Sequence, residues 1–400
     1  MKAICFVIQT PLMLRDYERY GVERLLKQEF EVYFFDLTML YNPQMVKNKM
    51  VEQFDYKNII PVKTSQDIID WFVHKQHKQT FIVDLTGRDD IQPLFENIVK
   101  NREIYYGLLC TNSIPRVKYK ILLQHLISLT SWKLLFEKIK NKFVSHRKTF
   151  TAPDFIIAGS NADRRIFPMT GPTTKIIWTH TLDYDLYLEY QSKPRSSLIN
   201  GEYAIFLDEC FPLHPDYHVS GNPKNPFRSY QEYYQELNYF FDVIEEKIGM
   251  PIVIAAHPRA PYEKMPDLFK ERKVIKNRSL DLVAGSRWVI SHASTALNFA
   301  VLFHKPIIFI MPEKVKGKYY GRFMSNFARH FNKKHFDRKP IADLDPSKEM
   351  LIDHRAYETY KEEFIKIKGT PEENTWDIAG KFFQQFDSNE RLHLVNTTNG

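Results

Sequence analysis

"WVISHASTALNFAVLFHKPIIFI" (residues 288–310) decides how this chain folds. An apolar run ends at Ser291, a few small and polar residues follow, apolar residues then recur at helical spacing, and Lys305-Pro306 opens a second β-branched run. That order predicts a strand, a turn, a helix and a second strand parallel to the first. Both runs are apolar at every position, as strands covered by helices on both faces must be.

The same shape recurs along the chain. Strand-like runs at 2–8, 31–36, 80–85, 104–109, 154–158 and 174–178 form one series, and those at 203–207, 251–256, 287–291 and 306–310 form another. Segments of helical period fall between and after them at 16–28, 66–78, 116–145, 227–248, 294–303, 346–366 and 373–386. Alternation of this kind predicts an α/β protein with parallel sheets. The polar stretch "EYQSKPRSSLINGEY" (189–203) separates the two series and reads as a linker. The expected organisation is therefore two Rossmann-like domains, 1–190 and 200–386, facing each other across a cleft at the carboxyl ends of their strands. The last helices, 346–386, are free to pack back on the first domain, and the tail "DSNERLHLVNTTNG" reads as disordered.

A length of 400 residues suits two domains, and no apolar run is long enough to span a bilayer. Residues 2–8 read as a first strand rather than a signal peptide, because Gln9, Thr10 and Pro11 interrupt the run and no small-residue cleavage site follows. Three widely spaced cysteines in apolar surroundings suit reduced thiols and neither a disulfide framework nor a zinc site. The expected location is the cytoplasm. A net charge of +8 points to an anionic partner without selecting one.

The chemistry gathers at two strand ends in the second series. In "IVIAAHPRAPYE" (252–263) the strand delivers His257, Pro258 fixes the chain after it, and Arg259 adds a forked donor suited to phosphate or carboxylate. A loop histidine beside a turn proline reads equally well if the dipeptide stands alone. In "SHASTALNF", Ser291, Ser294 and Thr295 lie between a strand and a helix start, where hydroxyls cap the helix and free N–H groups attract an anion. Two phosphate-suited strand ends in one domain predict a nucleotide phosphate site.

This combination of a His-Pro after a strand, a Ser/Thr-rich strand-to-helix turn and a "KP" strand resembles the nucleotide-binding half of GT-B glycosyltransferases that use CMP-activated keto sugars, the bacterial Kdo transferases and sialyltransferases. Teichoic-acid-type polymerases using CDP-linked polyols share a similar pattern. The resemblance implies that His257, with Pro258 and Arg259 beside it, contacts the CMP phosphate while Ser291, Ser294 and Thr295 hold the phosphate or cytidine. It implies that imidazole and helix dipole take the place of a metal, so no metal and no cofactor are expected. The activity it implies is transfer of Kdo, or a related 2-keto sugar acid, from CMP to a surface glycan such as O-antigen, capsule or core oligosaccharide. Arg259 or a cleft lysine would then meet the sugar's carboxylate.

Glycosyl transfer also needs a carboxylate near the anomeric carbon. "FLDECFPLHPDY" (206–217) offers Asp208 and Glu209 at a strand end, and Asp208 is the first candidate; "FIVDLTGRDD" (81–90) offers Asp89, in a position resembling that of the sialyltransferase acid but without the family's acid-acid-Gly order. "RRIF" (164–167) and "THTLDYD" (179–185) read as surface loops, with the cleft wall as the alternative. Residues 116–148 carry nine Lys/Arg against one Glu among apolar residues at helical spacing. They form either a solvated helix face or an interfacial helix on an anionic inner membrane, near a lipid-linked acceptor. A CDP-polyol phosphotransferase is the alternative activity, and a non-catalytic membrane- or nucleic-acid-binding protein is the alternative of another class. No nucleic-acid-binding motif supports the last of these, so no nucleic acid partner is expected.

Overall fold

The computed structural model describes residues 1–47, 52–75, 78–88, 90–99, 103–111, 113–115, 152–160, 162, 170–193, 197–214, 225–227 and 229–386. Asp89, the segment 164–167 and the basic segment 116–148 lie outside the described residues.

The two series of apolar runs form two all-parallel sheets. The first contains β1 (Lys2–Ile8), β2 (Glu31–Asp36), β3 (Ile59–Pro61), β4 (Gln79–Asp84), β5 (Ile104–Cys110), β6 (Phe155–Ala158) and β7 (Lys175–Trp178), in the order β3-β2-β1-β4-β5-β6-β7. The second contains β8 (Ala204–Leu207), β9 (Ile252–Ala256), β10 (Val274–Lys276), β11 (Trp288–Ser291), β12 (Ile307–Ile310) and β13 (His335–Phe336), in the order β10-β9-β8-β11-β12-β13. Every residue of β8, β9, β11 and β12 is buried, as strands covered on both faces require. In each sheet the strand order reverses beside its first strand, and the crevice outside the carboxyl ends at that reversal is where open α/β sheets take ligands. In the second sheet that crevice lies between β8 and β11.

The predicted helix 16–28 is two helices, Leu14–Arg19 and Val22–Lys27, broken at Gly21. Gly21 adopts φ 58°, and a Cβ there would stand 2.3 Å from Cδ1 of Trp376. Trp376 belongs to the helix Thr375–Gln385, which returns to the first domain: Trp376, Ala379 and Phe383 join the core of Ile4, Phe6 and Phe34, and Lys2 Nζ donates to Phe383 O at 2.7 Å. Within the predicted 346–366 segment, helix His354–Tyr360 stays with the second domain, where Tyr357, Tyr360 and Phe364 are buried.

Residues 179–185 are not a surface loop. Thr179, His180, Thr181, Asp183 and Asp185 are buried, and a helix, Leu182–Ser192, starts among them. Its burial is hard to read from hydropathy because its inward acids take partners distant in sequence: Arg19 for Asp183, and the backbone N–H of Thr375, at 2.7 Å, for Asp185 Oδ1. All three cysteines are buried and none forms a disulfide among the described residues.

Gly21→Ala is expected to lower the unfolding free energy by about 2 kcal/mol or more, since left-handed backbone and collision with a core indole act together. Displacement of the urea midpoint measures it; a change within about 0.5 kcal/mol would show that the Trp376 contact yields without cost.

Candidate functional site

The strand register brings the chemistry to one level. Leu207 pairs with Ala255, and Ile290 with Phe206, so Asp208, His257 and the turn after Ser291 leave the sheet side by side. Asp208 binds the first two of these together. Its Oδ1 accepts from Cys210 N at 2.9 Å; its Oδ2 accepts from His257 N at 3.2 Å and from Tyr262 Oη at 2.7 Å. Burial pushes its pKa up to about 6 against the pull of those donors.

His257 opens a tight turn in which Ala260 N donates to His257 O at 2.9 Å, and Pro258, with its preset φ, occupies the second position. Arg259 N donates to His257 Nδ1 at 3.2 Å. A neutral ring so engaged carries its proton on Nε2. Nε2 faces Nε2 of His214 at 3.3 Å, with ring centroids 4.6 Å apart. Burial, then the adjacent His214 imidazole, and then the positive charges of Arg259, Arg15 and Lys276 depress the His257 pKa to about 2. His257 is therefore a neutral donor, its Nε2–H on the side of His214. His214 was not singled out by the sequence reading; the signal for it is a second His-Pro, at 214–215, following a strand end as 257–258 does.

The Ser-His-Ala-Ser-Thr turn divides its labour. Ser291 is buried and its Oγ accepts from Ser294 N at 3.3 Å; Ser294 Oγ accepts from Ala296 N at 3.3 Å; Thr295 is exposed. These hydroxyls shape the turn just ahead of the helix Leu297–Leu302. His292 belongs to the core: its Nδ1–H donates to Ile310 O at 2.7 Å, Tyr233 Oη meets its Nε2 at 2.9 Å, and burial lowers its pKa to about 4.

Glu209 connects the turn to β8. Its Oε1 accepts from Ala293 N at 2.8 Å, so the side chain spans the crevice between β8 and β11. Burial first, and the charge of Asp208 second, raise its pKa to about 7, against the pull of the Ala293 N–H. Glu209 is thus a carboxyl raised toward neutrality at the crevice between β8 and β11.

The first domain closes on this turn. Arg19 Nη2 donates to Asp183 Oδ1 at 2.6 Å and Asn298 Nδ2 to Asp183 Oδ2 at 2.9 Å. One carboxylate thereby joins the helix after β1 to the helix after β11. The carboxyl ends of the two sheets face each other at that point. Among the described residues, no three His, Cys, Asp or Glu side chains gather as ligands for a metal ion. No helix among them is long and apolar enough to cross a membrane.

No family model matches the chain, and no curated protein matches it. Solved structures do. The wall teichoic acid polymerase TagF superposes with a TM-score of 0.55 at 11% identity, over 96% of this chain and 90% of that one. A variant of TagF soaked with CDPG gives 0.52 at 11% identity, over 98% and 90%. S. aureus MnaA with UDP gives 0.49 at 11% identity, over 97% and 98%. At such identities the likeness to TagF shows the fold alone, which is the two-domain GT-B architecture.

The His257 ring is expected to stay neutral in the ligand-free protein. Its Cε1–H resonance, assigned with His257→Ala, should not move from pH 8 to pH 5, whereas an ordinary histidine titrates near about 6.5.

Proposed function

We propose that this chain is a GT-B glycosyltransferase that moves Kdo, or a related 2-keto sugar acid, from its CMP-activated donor to a hydroxyl of a surface glycan. The observation that carries the reading is that a neutral imidazole donor at the end of β9 and a carboxyl with a pKa near neutrality at the end of β8, reaching to the turn after β11, leave the second sheet at one level. Phosphate release and hydroxyl attack need one of each.

In this proposal His257 turns its Nε2–H from His214 to the departing phosphate, and the turn of Ser291, Ser294 and Thr295 holds the phosphate or the cytidine. The developing negative charge is met by the imidazole and by Arg259 in a site that excludes most water, where such donors are worth more than in solution. Glu209 takes the proton of the acceptor hydroxyl. Both oxygens of Asp208 are committed to Cys210, His257 and Tyr262, so we assign Asp208 the positioning of His257 and leave proton transfer to Glu209. Metal independence is part of the proposal, since imidazole and guanidinium provide the charge a cation would. The acceptor's lipid linkage and a docking of 116–148 on anionic membrane remain proposals of the sequence alone.

The second reading, a CDP-polyol phosphotransferase, is supported by the likeness to a polymerase that takes up CDPG. It would use the same phosphate grip and give a phosphodiester product. Calorimetry separates the readings: CMP and a CMP-keto sugar should bind under the first, and CDP-glycerol should be turned over under the second. Binding of UDP alone would sink both.

Three outcomes follow from the roles given. Glu209→Gln can still accept from Ala293 N; it should keep CMP binding and lose transfer by about 100-fold or more. With Glu209 raised to about 7 and acting as base, the wild-type rate should fall as pH drops below 7, by about tenfold per unit, and the variant should lose that limb. Turnover should also persist in EDTA; abolition that a divalent ion restores would overturn the metal-free assignment.

A further inference from the structure

The helix Leu14–Arg19 carries two arginines one turn apart, Arg15 and Arg19, which therefore share a face. Arg19 is committed to Asp183, which also binds Asn298 just beyond the Ser-His-Ala-Ser-Thr turn. That bond pins the Arg15 face of the first domain against the phosphate-suited turn of the second. Arg15 itself rests on Asp16, giving Nε at 3.1 Å and Nη2 at 2.8 Å to the same carboxylate oxygen.

The charges cross the gap in both directions. Arg15 is one of the positive neighbours that depress His257, and Arg259 acts in turn on Tyr20, the residue that ends the Arg15 helix. Lys276 acts on His257 from the second-domain side and is itself tied to Ala260 O at 2.7 Å and to Glu263. Guanidinium groups from both domains thus act on the one gap, where an anion would be attracted from both sides. A guanidinium has five donors, so Arg15 can keep Asp16 and still take a ligand oxygen.

We propose that Arg15 of the first domain and Arg259 of the second form an anion subsite beside His257, for a second negative group on the donor: a β-phosphate or a sugar carboxylate. This rests on the reading in which His257 meets the donor's first phosphate, and adds that the first domain recognises charge beyond it. A nucleoside monophosphate, having no second group, binds without Arg15. Arg15 thereby selects donors by their second charge and links their binding to apposition of the domains.

Isothermal titration of the full chain with CMP, CDP and CMP-N-acetylneuraminate tests this, on the wild type, Arg15→Gln and Arg15→Lys. The wild type should bind one of the doubly charged ligands about tenfold or more tighter than CMP. Arg15→Gln should bring that ratio to within about twofold of unity while leaving CMP affinity in place, and Arg15→Lys should restore part of it. Loss of preference for CDP alone assigns a β-phosphate; loss for the CMP-keto sugar alone assigns a carboxylate. Ratios unchanged by Arg15→Gln for both ligands overturn the proposal. If UMP and UDP bind and the cytidine compounds do not, the cytidylate reading fails, and the UDP-to-UMP ratio decides on Arg15 by the same criterion.

Discussion

A carboxylate taken out of water has to be answered by protein donors, and Asp208 is answered by three. One comes from its own strand end, one from the next strand and one from the loop beyond it. The next residue, Glu209, reaches the other way, to the turn after β11. Residues 208–209 thus hold both neighbours of β8 at one level, and His257 and the hydroxyl turn inherit their positions from them. Tyr262 extends the brace, since its hydroxyl also meets Tyr234 Oη at 2.8 Å inside the second core. A network of this kind is rigid only while every member is satisfied.

The relation of the two domains rests on a second carboxylate. Asp183 lies on the segment that leaves the first sheet, and it binds Arg19 and Asn298, one from each side of the gap. The returning chain adds a further connection: His180 Nε2 lies 2.7 Å from Glu373 O, and Trp376 Nε1 donates to Arg19 O at 2.8 Å. Arg19 is therefore held at its side chain by the connecting helix and at its backbone by the final one. The geometry of the gap depends on contacts between residues 115 to 357 positions apart in the sequence.

Environment gives the titratable groups different tasks. His292 and His257 are both kept neutral by burial, yet one has its two nitrogens occupied by core partners and the other directs Nε2 at a second imidazole. Asp208 and Glu209 are adjacent and both raised, yet one is enclosed by three donors and the other reaches across to accept from the turn. Neighbours in sequence thereby become a brace and a candidate base.

Sequence alone determined the nine inner strands of the described residues and the edge strand β7, the parallel α/β class and the placing of His257 and Ser291 at strand ends, because a strand buried on both faces must be written as an uninterrupted apolar run. It did not show β3, β10 and β13, which are edge strands, short and partly exposed, with hydrogen bonds on one side only. Nor did it show that 179–185 is buried or that Gly21 breaks a helix, since the reasons, Arg19, Thr375 and Trp376, come from elsewhere in the chain. It could nominate Asp208, Glu209 and the serines by residue type, but only the tertiary structure decided which oxygens were already taken, that His214 stands against His257, and that Arg15 comes from the other domain. Local patterns record burial; the partners of a buried polar group are set by the packing of distant segments.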